Sequence, residues 1–375
     1  MTAPLVKGYC PGALRPMRAG DGILVRVRPF EGRLTADQAQ GVARLAQRFG
    51  NGCLDLSSRA NLQIRGVSEK NYLPLLDGLL SLGLLDSDPQ VESRRNILIS
   101  PFHADGDGTA ALARRLTRAL ARQDAPQPSG KFGYALDAGP KPMLQAASAD
   151  VRIERDAAGG LILCADGAAM GKAVSDETAV RDALELAQWF IAVRRDQTRM
   201  AQLWPSGFEV PAGHDVPRQA HAPKIVPGSR AEGMLVALTF GTLSAETLTA
   251  LAICGALRLT PWRMLLIEGA RDVPEIDGII TQAADPFLSI TACPGAPKCA
   301  QAHASTRTLA RDLAPRLRGR DHLHISGCAK GCAHPGRAPV TLTATAEGFD
   351  LIREGRASDA PALTGLKRAD VYKAI

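Results

Sequence analysis

Two cysteine pairs carry the most specific chemistry in this chain. Cys293-Pro-Gly-Ala-Pro-Lys-Cys299 is C-x5-C, and Cys328-Ala-Lys-Gly-Cys332 is C-x3-C. The first pair follows an apolar run over 288–292, and the second follows His322-Leu323-His324-Ile325-Ser326. Both runs read as strands, with a helix over 305–317 between them. Four thiolates at two strand ends can converge on one metal centre, and four Cys is the usual ligand set of a 4Fe–4S cluster. Zinc and incidental thiols are the competing readings. Structural zinc prefers a two-to-four-residue gap between paired Cys, so C-x5-C fits it poorly. The remaining Cys10, Cys53, Cys164 and Cys254 are scattered, and the last three read as small buried hydrophobes.

A second constellation is cationic. In Ser57-Ser58-Arg59-Ala60-Asn61-Leu62-Gln63-Ile64-Arg65, the odd positions are Arg59, Asn61, Gln63 and Arg65. Strand side chains alternate faces, so these point one way while Leu62 and Ile64 point the other. Arg95, just before an apolar run over 97–99, and Lys131, in Pro-Ser-Gly-Lys-Phe-Gly, extend the set. Guanidinium groups bind carboxylates bidentately, so such a comb suits a ligand bearing several carboxylates. A solvated strand face is the competing reading.

These residues need elements to hold them. Residues 23–28 alternate as a strand. Thr35-Ala-Asp-Gln38 is a capping box that starts a helix with the apolar stripe Val42, Leu45, Ala46 and Phe49, which Gly50-Asn51-Gly52 stops. Runs over 53–56 and 62–67 read as strands, 71–82 as a Leu-rich helix and 96–99 as a strand. The order β-α-β-β-α-β is the ferredoxin-like split βαβ arrangement. It returns later: Gly233-Met-Leu-Val echoes Gly22-Ile-Leu-Val, Leu243-Ser-Ala-Glu echoes Leu34-Thr-Ala-Asp, and Leu265-Leu-Ile-Glu-Gly echoes Leu62-Gln-Ile-Arg-Gly. Between the copies, 151–165 reads as a hairpin and 177–194 as a helix. Five prolines over 205–230 read as a linker.

The expected fold is α+β, with duplicated ferredoxin-like half-domains. Its parts are a first half-domain (1–100), a middle α/β lobe (101–204), the Pro-rich linker (205–230), a second half-domain (231–288) and an iron–sulfur lobe (289–375). The 375 residues are 45% hydrophobic with only 4% aromatic, and carry 45 Lys+Arg against 38 Asp+Glu. That composition excludes a disordered chain, and no run approaches the ~18 apolar residues of a membrane span. The start, MTAPLVKGYCPGALRPM, lacks the apolar run of a secretory signal. The expectation is a cytoplasmic protein with no membrane or nucleic-acid partner, whose net charge of +7 serves a polyanionic small molecule.

The cysteine spacing, the duplicated half-domain and the Ser-Ser-Arg-x-Asn-x-Gln-x-Arg comb together resemble the sirohaem nitrite/sulfite reductase superfamily. The resemblance covers nearly the whole chain. It implies that Cys293, Cys299, Cys328 and Cys332 hold a 4Fe–4S cluster, with Cys332 the ligand that bridges to sirohaem iron in the reductases. It also implies that Arg59, Arg95 and Lys131 hold macrocycle carboxylates or an anionic substrate. Within the superfamily, Cys10-Pro-Gly, Pro16-Met17, Gly20-Asp-Gly22, Leu257-Arg-Leu-Thr-Pro-Trp-Arg263, Lys330-Gly-Cys-Ala-His-Pro335 and Arg356-Ala-Ser-Asp359 resemble the precorrin-3B synthases of aerobic cobalamin synthesis. The reductases carry a second Lys two residues after the first; here Gly133 stands there.

That branch implies an O2-dependent monooxygenase. It hydroxylates precorrin-3A at C20 and closes a γ-lactone from the ring A acetate. The comb residues Arg59, Asn61, Gln63, Arg65, Arg95 and Lys131 are its expected substrate-binding set. The resemblance further implies a mononuclear non-haem iron, for which His103, His303, His322, His324 and His334 are candidate ligands. His334, two residues past Cys332, is the candidate catalytic residue. No Gly-x-Gly-x-x-Gly follows a strand, so electrons are expected from a separate NAD(P)H-linked donor. Two alternatives remain: a reductase that binds sirohaem, and a non-enzymatic iron–sulfur carrier or redox sensor.

Overall fold

The computed structural model describes residues 10–104, 106–220, 223–317 and 322–375. Part of the N-terminal stretch read for a secretory signal, 1–9, lies outside the described residues. The first half holds β1 (Met17–Ala19), β2 (Gly22–Val27), β3 (Arg33–Leu34), α1 (Ala36–Phe49), β4 (Cys53–Leu56), β5 (Leu62–Val67), α2 (Glu69–Ser81) and α3 (Pro89–Arg94). Thr35 caps α1 reciprocally with Gln38, at 3.1 Å and 3.0 Å. Val42 and Ala46 of the expected stripe are fully buried, while Leu45 and Phe49 pack at its edge.

The middle lobe follows. It comprises β6 (Ile97–Ile99), α4 (Thr109–Leu120), β7 (Tyr134–Asp137), β8 (Val151–Arg155), β9 (Leu161–Ala165), β10 (Met170–Ala173), α5 (Ala179–Val193) and β11 (His214–Pro217). Its sheet runs β11-β10-β9-β8-β7-β6, and α4 and α5 pack their apolar faces on it. The second half repeats the first with β12 (Gly228–Arg230), β13 (Gly233–Leu238), β14 (Thr242–Ser244), α6 (Ala245–Cys254), β15 (Leu257–Leu259), β16 (Met264–Glu268) and β17 (Ile279–Ile280).

The duplication extends to backbone dihedrals. Left-handed residues recur at matching turns: Glu31 (φ 56°) and Phe240 (58°), Ala60 (52°) and Arg263 (60°), Gly66 (69°) and Gly269 (70°). The halves also exchange strands. Their sheets run β1-β2-β5-β4-β14 and β12-β13-β16-β15-β3, so β14 extends the first half and β3 the second. One core, built around α1 and α6, serves both.

Two expectations differ from the structure. The strand at 97–99 does not close the first half's sheet; β6 pairs with β7 in the middle lobe. The place beside β2 is taken by β1, which reaches it through a two-residue turn, a short closure with little entropy to lose. The Pro-rich segment is also more than a linker. It supplies β11 and β12, both at sheet edges, where a residue without an N–H is tolerated.

The last lobe comprises β18 (Ile290–Ala292), α7 (Thr306–Leu313), β19 (Leu323–Ser326), β20 (Ala338–Ala344), β21 (Phe349–Gly355), β22 (Leu363–Leu366) and α8 (Arg368–Ala374). Its sheet runs in that strand order, with β18, β19 and β20 parallel. No described helix is long and apolar enough to cross a membrane.

Candidate functional site

The parallel pairing of β18 and β19 sets the cysteines. Neighbouring parallel strands end at the same side, so Cys293, just after β18, meets the loop that carries Cys328. The Cys293 sulfur accepts the Gly327 N–H at 3.1 Å. A Cβ on Gly327 would stand 2.6 Å from the Ala302 side chain and 3.4 Å from that sulfur, so only glycine fits. The His303 N–H donates to the Gly327 carbonyl at 2.9 Å and joins the two cysteine loops. Burial pushes the Cys332 thiol up. Lys330 opposes this, and Cys328, Cys293 and Cys299 add to it. Cys332 therefore sits within electrostatic reach of the other three, and none of the four is in a disulfide. Among the described residues, no three His, Cys, Asp or Glu side chains converge tightly enough for one metal ion. A four-iron cubane holds its thiolates further apart than a single ion does. The thiol set and the N–H aimed at a sulfur fit such a cluster.

The comb lies on the first half's sheet, on the side away from the shared core. Leu62 and Ile64 are buried toward α1, and Asn61, Gln63 and Arg65 face the other way. Arg59, in the turn before β5, donates to the Lys131 carbonyl at 2.7 Å and to Ser148 Oγ at 3.4 Å. Its Nη1 is buried without a partner among the described residues. Burial lowers the Arg59 pKa, and nearby Arg199 adds to this against Cys10 and Asp150. Lys131 stands beside Arg59 in the turn 129–132.

The other two expected cations are already neutralised. Arg65 pairs with Asp21 (2.6 and 2.8 Å) and Asp55 (3.1 Å). Arg95 holds Asp86 bidentately (2.7 and 2.8 Å) and stacks on Phe30 at 4.0 Å. The structure thus brings Arg59, Asn61 and Gln63 to one side, with Lys131 next to Arg59 and neither cation in an ion pair among the described residues, and gives Arg65 and Arg95 bracing positions. Arg65 braces the cysteine lobe itself: its partner Asp55 also takes Arg307 at 3.3 Å, and Arg65 lies 3.5 Å from the Lys298 carbonyl.

Several cations were missed by sequence reasoning. Arg26 and Arg28 on and after β2 are both buried. The signal was available, since the two alternate with valines in Val25-Arg26-Val27-Arg28. Arg263, in a left-handed turn, donates to the Ala333 carbonyl at 2.8 Å, beside Cys332. It closes the Leu257–Arg263 run that carries part of the resemblance, but nothing in that run gave it a role.

Three of the five candidate histidines gather. The His334 ring lies 4.8 Å from His322 and 5.6 Å from His324, centroid to centroid. Burial first, then His334, pushes His322 down to about 4 and His324 down to about 3. Neither ring nitrogen of His324 has a partner among the described residues, whereas His322 Nε2 meets Thr291 Oγ1 at 2.7 Å and His334 Nε2 meets the Arg337 carbonyl at 3.0 Å. His103 is held separately at the Ser100 carbonyl (2.8 Å), and His303 is exposed.

Residues 15–82 match the family described as Nitrite/Sulfite reductase ferredoxin-like half domain. A precorrin-3B synthase from Sinorhizobium sp is 30% identical over 96% of this chain and 85% of that protein. The chloroplastic ferredoxin–nitrite reductase of Zea mays is 32% identical over 80 residues, 21% of this chain and 14% of that protein. The structure of the Mycobacterium tuberculosis NirA protein superimposes with a TM-score of 0.62 at 16% identity, covering 94% of this chain and 79% of that one, and shows the fold alone. By its near full-length likeness, the chain belongs to the precorrin-3B synthase family, within the nitrite/sulfite reductase superfamily.

Proposed function

We propose that the protein is the cobalamin-biosynthesis oxidoreductase that converts precorrin-3A to precorrin-3B. In this reading it uses O2 to hydroxylate C20 and closes the ring A acetate into a γ-lactone. The observation that carries the reading is one polar sheet face. Arg59 and Lys131 stand at its edge without a carboxylate partner among the described residues, and its far end is tied through Arg65 and Asp55 to the cysteine lobe. A macrocycle ringed with carboxylates would lie over that face, with Arg59 and Lys131 pairing its charges and Asn61 and Gln63 donating or accepting beside them. Arg65 and Arg95 hold the face in shape from behind their own aspartates.

Cys293, Cys299, Cys328 and Cys332 would hold a 4Fe–4S cluster, which when bound supplies single electrons. Gly327 and the loop after Cys293 keep one sulfur hydrogen-bonded. Among the described residues the mononuclear iron has no ready ligand set: His322, His324 and His334 approach one another but do not converge on one point. His334, two residues past Cys332, rests its Nε2 against the Arg337 carbonyl at 3.0 Å. The separate NAD(P)H-linked donor and a cytoplasmic location complete the proposal.

Two features speak against sirohaem-dependent reduction of nitrite or sulfite. Gly133 replaces a cation, and Arg95 is closed off by Asp86. An anaerobic incubation with precorrin-3A, followed by product mass with and without labelled O2, tests the proposal. Incorporation of one labelled oxygen is expected. Turnover without O2, or sirohaem absorption in the purified protein, would favour the reductase. Failure to bind precorrin-3A would leave an electron carrier.

A further inference from the structure

The turn between β15 and β16 carries an arginine where its copy in the first half carries Ala60. Both residues are left-handed, Arg263 at φ 60° and Ala60 at 52°. That conformation is unfavourable for any side chain beyond glycine, and the copy folds with alanine, so the turn itself does not ask for arginine. Its backbone is closely held. Thr260 Oγ1 accepts the Trp262 and Met264 N–H groups at 3.3 and 3.2 Å, and the Arg263 carbonyl accepts the Leu238 N–H at 3.1 Å. The stem of Arg263 is seated too. A Cβ on Gly241 would stand 2.7 Å from its Cδ and 3.0 Å from its Cγ, so the side chain lies across that glycine. At the matching Gly32 a Cβ would meet nothing closer than Ile99, at 3.9 Å.

The guanidinium ends in the cysteine lobe. Its Nη2 donates to the Ala333 carbonyl at 2.8 Å, one residue past Cys332. The charged and titratable groups within its reach are Arg307, Asp55 and Cys293, with His322 and His324 on the histidine side. Burial pushes the Arg263 pKa down, and Arg307 adds to this against Asp55 and Cys293. Asp55 does not neutralise it, because that carboxylate already pairs with Arg65 at 3.1 Å and Arg307 at 3.3 Å. A cation taken out of water without a counter-charge destabilises a fold. Thiolate ligands at Cys293 and its three companions would supply that counter-charge.

We infer that Arg263 is a positioning residue of the iron–sulfur site: it fixes the chain just past Cys332 and keeps a permanent positive charge beside the thiol set, which makes the cluster easier to reduce. The inference rests on the cluster reading above. A cluster gains one negative charge on reduction, and a fixed cation within reach stabilises that state over the oxidised one. Arginine suits the task because it stays protonated across the working pH range. The second half thereby grips the cysteine lobe next to Cys332, as Arg65 and Asp55 of the first half grip it at Lys298 and Arg307. A merely structural contact to Ala333 predicts that the potential does not depend on the charge at position 263.

The test is a redox titration of the full-length holoprotein, with the reduced cluster followed by electron paramagnetic resonance and iron content measured on the same samples. Arg263→Gln should keep its iron and need a more reducing potential. At a fixed potential its reduced-to-oxidised ratio should fall about tenfold, which is about 59 mV for one electron. Arg263→Lys keeps the charge and should stay close to the wild type. If Arg263→Gln does not hold the cluster, Arg263→Ala serves the same comparison, since the matching turn folds with Ala60. Iron retained by Arg263→Lys alone, at the wild-type potential, also supports the role of the cation. Full iron with an unshifted potential in Arg263→Gln or Arg263→Ala overturns the inference. So does an equal fall in Arg263→Lys, which would trace the effect to geometry. Loss of iron in all three variants overturns the electrostatic role and leaves Arg263 a prop of the loop. A wild type that takes up no 4Fe–4S cluster on anaerobic reconstitution overturns the cluster reading and this inference together.

Discussion

The two halves share a backbone and differ in what their second sheet faces carry. In the first half that face holds Arg26, Asn61, Gln63 and Arg65. In the second, the matching strands carry Leu235, Ala237, Met264 and Leu266, sealed by Phe102, Ile225, Phe287 and Leu288. Even the ion pairs are mirrored with reversed sign. Arg65 on β5 meets Asp55 on β4 at 3.1 Å, and at the matching positions Glu268 on β16 meets Arg258 on β15 at 2.6 Å. A duplicated scaffold can keep one face for a charged ligand and fill the other with its own chain. The strands tolerate both because the shared core lies on their opposite side.

That contrast can be broken most severely at the cysteines, which only the second half's extension carries as pairs. Cys299→Ser or Cys328→Ser should abolish cluster iron and its visible absorbance, while Cys254→Ser, on α6, leaves both intact. Iron analysis of the three variants decides it, and equal iron in all of them would remove the ligand assignment. Next comes an exchange between the faces. Leu266→Arg puts a cation into the sealed face and should destabilise by about 3–5 kcal/mol in denaturant unfolding. A loss under about 1 kcal/mol would mean the second face is open after all.

Arg59→Ala acts on the other side of the comparison. It should weaken macrocycle binding by about 1.5–3 kcal/mol, the worth of a charge-assisted bond. Unchanged affinity would return the comb to an ordinary solvated face. The smallest effect concerns the mirrored ion pairs. Hydrogen bonding from Arg33 foremost, with Arg258, holds Glu268 down from 4.5 to about 2 in spite of burial. The folded value is below the unfolded one, so this stabilisation is complete above pH 4.5 and disappears as pH falls toward 2. Allowing for partial exposure, it amounts to about 1–2 kcal/mol. Glu268→Gln should flatten the stability curve across that acid window, and an unchanged slope would count against the pairing.

Much of the architecture was legible because it rests on local signals. The Thr35 capping box, the stripe of α1 and the echoed glycines are short-range patterns, and each marks an element the structure contains. Strand β6 was legible as a strand but not as a member of the middle sheet, since pairing partners are a non-local choice. The exchange of β3 and β14 was hidden for a similar reason: strands of two or three residues leave no period to read. At the candidate site, alternation identified which comb residues share a face. It could not reveal that Asp21, Asp55 and Asp86 neutralise Arg65 and Arg95. Nor could it show that Arg26 faces Gln63 across the β2–β5 pair.

By itself the sequence determined the residue types and their periods: two cysteine pairs after strands, a polar face on an apolar strand, and a repeated half-domain. Those are properties of neighbours along the chain, where side-chain alternation and capping operate. Tertiary structure alone decided which cations remain unpaired and which are closed by aspartates. It also decided which of two equivalent faces stays polar and that the loop after β18 meets the loop after β19, where the Gly327 N–H reaches the Cys293 sulfur. Charge and burial depend on what the fold carries in from far along the chain, and in this protein that separates Arg59, with no carboxylate partner among the described residues, from Arg65 and Arg95.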